Sequence, residues 1–569
     1  MDPHSLFEQA NKLFLEDHDQ AGATPLYRRA AEQGHAGAQY AMGLLEPEQG
    51  VWWLTLAARQ DHPDAQFDLA TKLLVEHGKS SEAAQWYRRA ALQGLAAAQY
   101  SLGVLLAVGP EFLQQALRRH QQGDSKYQAA ELLESLDLEQ AVSWFRLAAD
   151  QGHADAQYTL AGMLSAGQGA PADDAEAERR FRQAAEQGHP IAQYRLGALL
   201  LDRDPELGAI WCRRAAEQGY ADAQHLLAAL IAEQGDFAEA AVWFRKAAEQ
   251  GHPGAQNHLG YVLAQGLGVP VDAEESAHWL RLSAESGQAD AQRNLAVLLA
   301  QAGNYEEAAL WYGRAAEQGH AAAQFILATM YAEGEGVPQD SEQSLVWLRR
   351  SASQGFGRAQ LRLGSLLAET GPREEAIHWL QAAAAQGLEE AYSELGMLYL
   401  DNDPVEADRW LRPLAEKGDA DAQAMLGILH CDHDPAGAAG WFRKAAEQDH
   451  PGGQYNLGVL YYQGLGVEPD EREALRWFHR SATAGHVRAQ YNLAAILESQ
   501  DPAEAAGWYH RAAEQGLDHA QFSLGQMFFR GHGVERDLAQ ALHWFGKAAE
   551  QGHQEAAAVV ARLTRAAGG

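Results

Sequence analysis

The chain has 569 residues, of which 47% are apolar and 9% aromatic, and its 44 Lys+Arg against 77 Asp+Glu give a formal net charge of −33. That apolar fraction, with 15 Trp, excludes an intrinsically disordered chain, and the presence of only Cys212 and Cys431 excludes a disulfide-stapled scaffold. Acidity of this size also argues against nucleic acid as a partner, because phosphate affinity comes from Lys and Arg.

At the N-terminus, Met1 to Glu8 is acidic where a secretory signal would be basic. The longest clean apolar run, Leu226 to Ala232, falls far short of the roughly 20 residues of a membrane-crossing helix. The expectation is a cytoplasmic protein with no direct membrane insertion.

Beyond the first residues one phrase recurs along the chain, typified by Ala247-Ala248-Glu249-Gln250-Gly251-His252-Pro253-Gly254-Ala255-Gln256. Taking Gly251 as the anchor, equivalents stand at 34, 61, 94, 123, 152, 188, 219, 251, 287, 319, 355, 387, 418, 449, 485, 516 and 552, at spacings of 27 to 36 residues. Such a period is the mark of a solenoid, so length here means repeats and not several domains.

Phase around the anchor defines the unit. Asp or Asn stands at position −15 in 13 repeats, from Asp19 to Asp537, and is expected to cap a helix that runs to the anchor Gly. Small residues at −11 and −4, Trp at −8 and an aromatic or apolar residue at −7 make one stripe; Ala at +4, Gln at +5, Leu at +8 and apolar residues at +11 and +12 make a second. Each unit therefore reads as two antiparallel helices. The five 36-residue units carry extra Gly-rich loops, such as Gly334-Glu335-Gly336-Val337, expected to leave helix packing undisturbed.

The expected architecture is all-α, a single solenoid over residues 1–569 with about 17 helix-pair repeats. The repeat around 103–136 is degenerate, with Gln115 in the Trp place and Arg119 in a small-residue place, and is expected to mark a kink or weak point. Residues 553–569 supply a capping helix and tail.

The phrases Ala-Ala-Glu-Gln-Gly-His with Ala-Gln-Tyr-x-Leu-Gly, at Ala184 to Gly197 and Ala445 to Gly458, resemble the Sel1-like repeat, a relative of the tetratricopeptide repeat. So does Gly-x-Gly-Val followed by Asp and Trp-Phe at Gly531 to Phe545. The resemblance covers essentially the whole chain. It implies a right-handed α/α superhelix whose second helices line a concave surface, and a role as adaptor in bacterial signalling, secretion or envelope processes.

Candidate chemistry is sparse. Nine His stand at +1 of an anchor, one per repeat, which suits helix caps and disfavours a shared metal ion. His430-Cys431-Asp432-His433-Asp434 is dense in potential ligands, but Asp434 is already needed as a cap. Cys212 takes the −7 core place, and 14 Trp at −8 read as core. Gly78-Lys79-Ser80 lacks the upstream Gly of a phosphate loop, since Leu73 stands there. No cofactor, metal or catalytic residue is assigned, and an enzyme is not expected.

Positions +3, +7 and +10 of the second helix are left free for a partner. The +7 row is the most varied, with Arg195, His258, Asn294, Arg362, Glu394, Asn456, Asn492 and Ser523. The leading expectation is a non-enzymatic scaffold, monomeric or partner-bound, that holds a protein or peptide there. Evenly spread acidity reads first as solubility and second as attraction for a basic partner. The alternatives are an immunity or chaperone-like factor for a secreted toxin and, lowest, a hydrolase.

Overall fold

The computed structural model describes residues 1–109, 113 and 137–567. The described residues form an α-solenoid with 33 α-helices and no strand. Two compact units divide the chain, residues 1–298 and residues 299–569.

Both units are built from one helix pair, because the same local signals recur. All 13 Asp or Asn residues at −15 accept a backbone N–H through their side chains, as Asp236 does from Glu239 at 3.0 Å, and so start the first helix of their pair. That helix stops at the anchor. Every described anchor has positive φ, with the Gly anchors at 82 to 105°, while Asp61 and Asp449 take 59° and 61°. Where Asp stands in the anchor, its carboxylate is held by the following +5 amide, from Gln66 at 3.2 Å and Gln454 at 3.1 Å.

Second helices start differently. At all nine +1 histidines the ring Nδ1 accepts the backbone N–H three residues on, as in Ala255 N to His252 at 3.0 Å. The ring also stacks on the +6 side chain of the preceding layer, with Tyr158 and His189 centred 4.8 Å apart and Tyr455 and His486 4.6 Å apart. The Nε2 can also lie beside the +3 carboxylate of that layer, as between Asp155 and His189 and between Asp222 and His252 at 3.2 Å, and between Asp421 and His450 at 2.8 Å. One side chain therefore caps a helix and joins two layers.

The core follows from the small residues. Ala240, Ala247, Ala248 and Ala255 are almost fully buried and let helix backbones approach closely around Phe244 and Leu259. Gln at +5 is buried in each described case. Its Nε2 donates to the −3 carbonyl of its own pair, and where the next layer has Gln at −1 its Oε1 accepts from that side chain; beside Ala484 the Gln454 Oε1 has no partner. For Gln324 these bonds are 2.9 Å to Ala316 and 2.6 Å from Gln354; for Gln193 they are 3.0 Å to Ala185 and 2.7 Å from Gln218.

Trp at −8 is buried or half-buried in every layer that carries it, with Trp243 and Trp311 among the core residues. Lys or Arg three residues on covers the ring, as Lys246 does at 3.9 Å over Trp243 and Arg314 at 4.3 Å over Trp311. The indole N–H of Trp279 reaches Glu275 at 3.0 Å, and that carboxylate also receives Arg245 from the preceding layer.

The ends and inserts refine the sequence expectation. Pro3–Asn11 is a lone helix of the second kind, capped by Asp2, with Phe7 stacked 4.4 Å from His35 as +6 side chains do elsewhere. The expected final helix is Gln554–Ala567, capped by His553. The degenerate stretch lies outside the described residues over 110–136, Leu113 excepted. On either side of it, Ala96–Val108 packs directly on Leu138–Asp150, with Gln151 Nε2 2.7 Å from Gln99 Oε1 and Asp137 N 3.1 Å from Leu106 O. Those two layers are nearest neighbours. The Gly-rich loops do more than avoid the packing: each folds back onto the first turn of the preceding first helix.

Gly336 shows how close that approach is. Its φ is 71°, and a Cβ there would sit 2.2 Å from the Tyr305 carbonyl oxygen, whereas Gly313 has helical backbone with nothing within 4 Å. Gly336→Ala is expected to cost about 2 kcal/mol or more and Gly313→Ala to gain about 0.5 to 1 kcal/mol, both read as shifts of the urea midpoint by circular dichroism.

The capping rings also make stability depend on pH. Burial holds His35, His62, His153 and His486 below the ordinary 6.5. A folded value below the unfolded one means the fold favours the neutral ring. The stabilisation is complete above 6.5 and is lost as pH falls from there through the folded values. The urea midpoint should drop between about pH 7.5 and about pH 5. A His62→Asn, His153→Asn, His486→Asn chain, which keeps an acceptor at each cap, should show a flatter dependence; an unchanged slope would remove the caps as its cause.

Candidate partner-binding face

The seven +7 candidates all lie on second helices, one per layer, so each occupies its own step of the repeat and no two come from one helix. Arg195, His258 and Arg362 are exposed. Asn294, Glu394, Asn456 and Asn492 are half-buried. The reason is the neighbouring layer. Asn294 Nδ2 donates to Asn257 Oδ1 of the layer before it at 2.9 Å, and Glu394 accepts from Ser365, a +10 residue of the layer before it, at 2.7 Å. In these layers the +7 side chain thus meets the +6 or the +10 side chain of the layer before it.

His258 is the most crowded of the row. It stacks on Phe244 with ring centres 5.1 Å apart, and its Nδ1 lies 2.8 Å from Gly254 O and 3.0 Å from His225 Nε2. His225, at a +6 position that holds Tyr in six other repeats, is stacked 4.5 Å from His252. Burial, with the His252 and His258 rings beside it, lowers His225 to about 4, so at neutral pH it is an uncharged ring. Arg195 extends over Tyr194, its guanidinium carbon 6.0 Å from the ring centre.

Sequence reasoning missed the apolar part of this face. At +10, Leu44 and Tyr261 in the first unit and Met397 and Ile428 in the second are exposed by 54%, 44%, 50% and 51%. Met397 and Ile428 belong to consecutive layers.

The other candidates are taken up by the frame. Cys212 is fully buried, and burial raises its thiol to about 11, leaving no thiolate at neutral pH. In the 430–434 cluster, His430 Nε2 meets Asp408 at 2.8 Å, and Asp434 caps Pro435–Glu447 through Gly437 N at 3.0 Å. Burial works against ionisation of Asp408, but hydrogen bonds from Arg412 and His430 hold it below the usual carboxylate range. Cys431 packs beside the core residues around Phe442, and burial raises it as well. His430 and Asp434 therefore point to different partners and do not form one ligand set.

No described helix is long and apolar enough to cross a membrane. A model described as the Sel1 repeat matches fifteen segments of the chain, covering residues 23–95, 129–388 and 420–553. One curated relative is chitin synthase regulatory factor 3 of Schizosaccharomyces pombe, 32% identical over 127 residues, which are 18% of this chain and 13% of that protein. Among solved structures, the chain is similar to c5321, a protective antigen present in uropathogenic Escherichia coli strains displaying an SLR fold. The identity is 31% and the TM-score 0.56, over 74% of this chain and 90% of that one. A Sel1 repeat protein from Oxalobacter formigenes is 25% identical with a TM-score of 0.29, over 68% of this chain and 89% of its own. With repeats matched over far more than half its length, the chain belongs to the Sel1 repeat family.

Proposed function

We propose that the protein is a non-catalytic scaffold that holds a protein or peptide segment along the outward rows of its second helices. The observation that carries this reading is the contrast between frame and row. Caps, anchors, Gln bonds and stacked rings repeat with little change, while +7 and +10 change from layer to layer. At Met397 and Ile428, large apolar side chains lie half exposed beside Glu394 and Met425. A scattered exposed Leu needs no explanation, but two apolar side chains in register on consecutive layers make a patch that a partner would cover.

A non-catalytic role is supported by the use made of the reactive side chains. Histidine Nδ1 atoms serve as helix caps, and Cys212 is sealed in the core. The acidic chain gives a basic segment the faster approach, and we place the scaffold in the interior of a cell, assembling a larger complex.

The test reverses charges on the row without touching the core. An Arg195→Glu, Arg362→Glu, Glu394→Lys chain should keep its circular dichroism and urea midpoint, yet lose most of the partner captured by the wild type from native lysate. Full retention of that partner by the folded triple variant would overturn the reading.

A further inference from the structure

The joint between the last two layers differs from the others. Elsewhere the +3 residue facing the next +1 ring includes Asp155, Asp222 and Asp421, each paired with that ring. In the layer anchored at Gly516 the +3 residue is His519, preceded by Asp518, and both lie on the first turn of Asp518–Arg530. The next ring is His553, at the cap of Gln554–Ala567, and the two imidazoles meet edge to face with centres 5.2 Å apart. One ligand atom from each of Asp518, His519 and His553 lies within 4.8 Å of the other two.

From this we infer that Asp518, His519 and His553 form a binding site for a divalent transition-metal ion of the zinc class. Two imidazole nitrogens and one carboxylate suit that class better than Mg²⁺ or Ca²⁺, which take oxygen ligands. The spacing is what a single ion needs, because ligands about 2.1 Å from a metal lie roughly 3 to 4 Å from one another, and side chains on a half-exposed surface close the remainder by rotation. Three protein ligands leave the fourth position to water.

Two features oppose the ion, and both are offset. The helix first turns carrying these ligands point their positive ends at the site. Antiparallel pairing, however, brings the C-terminal ends of Pro502–Glu514 and Leu538–Glu550 to the same end of their layers, each finishing in an exposed Glu. Secondly, His553 Nδ1 accepts from Ala556 N, which leaves Nε2 for the metal. Coordination there moves the ring proton to Nδ1 and gives up that bond, which at 3.3 Å is among the longest of the nine caps. The metal thus replaces the weakest class of cap bond with a link between two layers. The +1 histidines remain one per layer, as the sequence implied; it is the +3 histidine that brings a second imidazole within reach.

The test is equilibrium dialysis of the full chain against Zn²⁺ at micromolar free metal, after stripping with a chelator. Wild type is expected to bind one equivalent more than His519→Ala and one more than His553→Asn. Asn at 553 keeps an acceptor for the Ala556 N–H, so that variant removes the ligand without removing the cap. Both variants should match the wild-type melting curve in the presence of chelator, and Zn²⁺ should raise the melting temperature of the wild type alone. Equal stoichiometry and affinity in all three chains, or no binding by wild type at these concentrations, would overturn the proposal.

Discussion

The structure depends on one buried amide per layer. The +5 Gln donates to its own helix pair and, in the layers followed by a −1 Gln, accepts from it, so a single side chain holds a pair closed and sets the next pair upon it; Gln454, followed by Ala484, keeps only the first bond. For Gln360 the two bonds are 3.1 Å to Ala352 and 2.7 Å from Gln386. A buried amide left with either end unpaired costs about 1 to 3 kcal/mol, so only one height and one rotation of the next layer satisfies it. Alanine contacts alone would let layers slide, because small apolar faces are non-directional. Where Gln is replaced, the geometry is partly kept: Tyr392 points its hydroxyl to Ala384 O at 3.4 Å, the same carbonyl place.

The remaining joints follow from that spacing. Once layers are held at fixed height, the +1 ring falls on the +6 ring of the layer before, and Arg at −6 reaches Glu at −12, as Arg349 does with Glu375. Exposed pairs of this kind contribute little singly. Their value is orientation, since Glu375 also receives the Trp379 indole at 3.4 Å and so fixes the ring that Arg or Lys covers in other layers. Most polar chemistry in the chain is spent on this frame, and what varies outside it lies on the second helices.

Much of this was legible along the chain. Caps, helix ends and stripes arise from interactions within about fifteen residues, and all 13 Asp or Asn caps stand where the spacing puts them. The buried roles of Cys212 and the +5 glutamines were legible because their phase places them on the helix face that must be covered, and the capping role of the +1 histidines because each stands just before a second helix. The candidate face was legible only as a phase. Arg195 and Arg362 are exposed as phase alone predicts, but Asn294 and Glu394 are partly consumed by the layer before, whose side chains phase does not supply.

The sequence by itself determined the repeat, its two helices, their ends and the composition of the core, because these rest on short-range backbone geometry and on which face is apolar. Tertiary structure alone decided which residues meet between layers: Gln151 with Gln99 across 52 positions, the loop glycine Gly336 against Tyr305, and His519 against His553. Such meetings depend on the height and rotation of one layer on another. Those are fixed by amide bonds between residues 21 or more positions apart, beyond the reach of any local pattern.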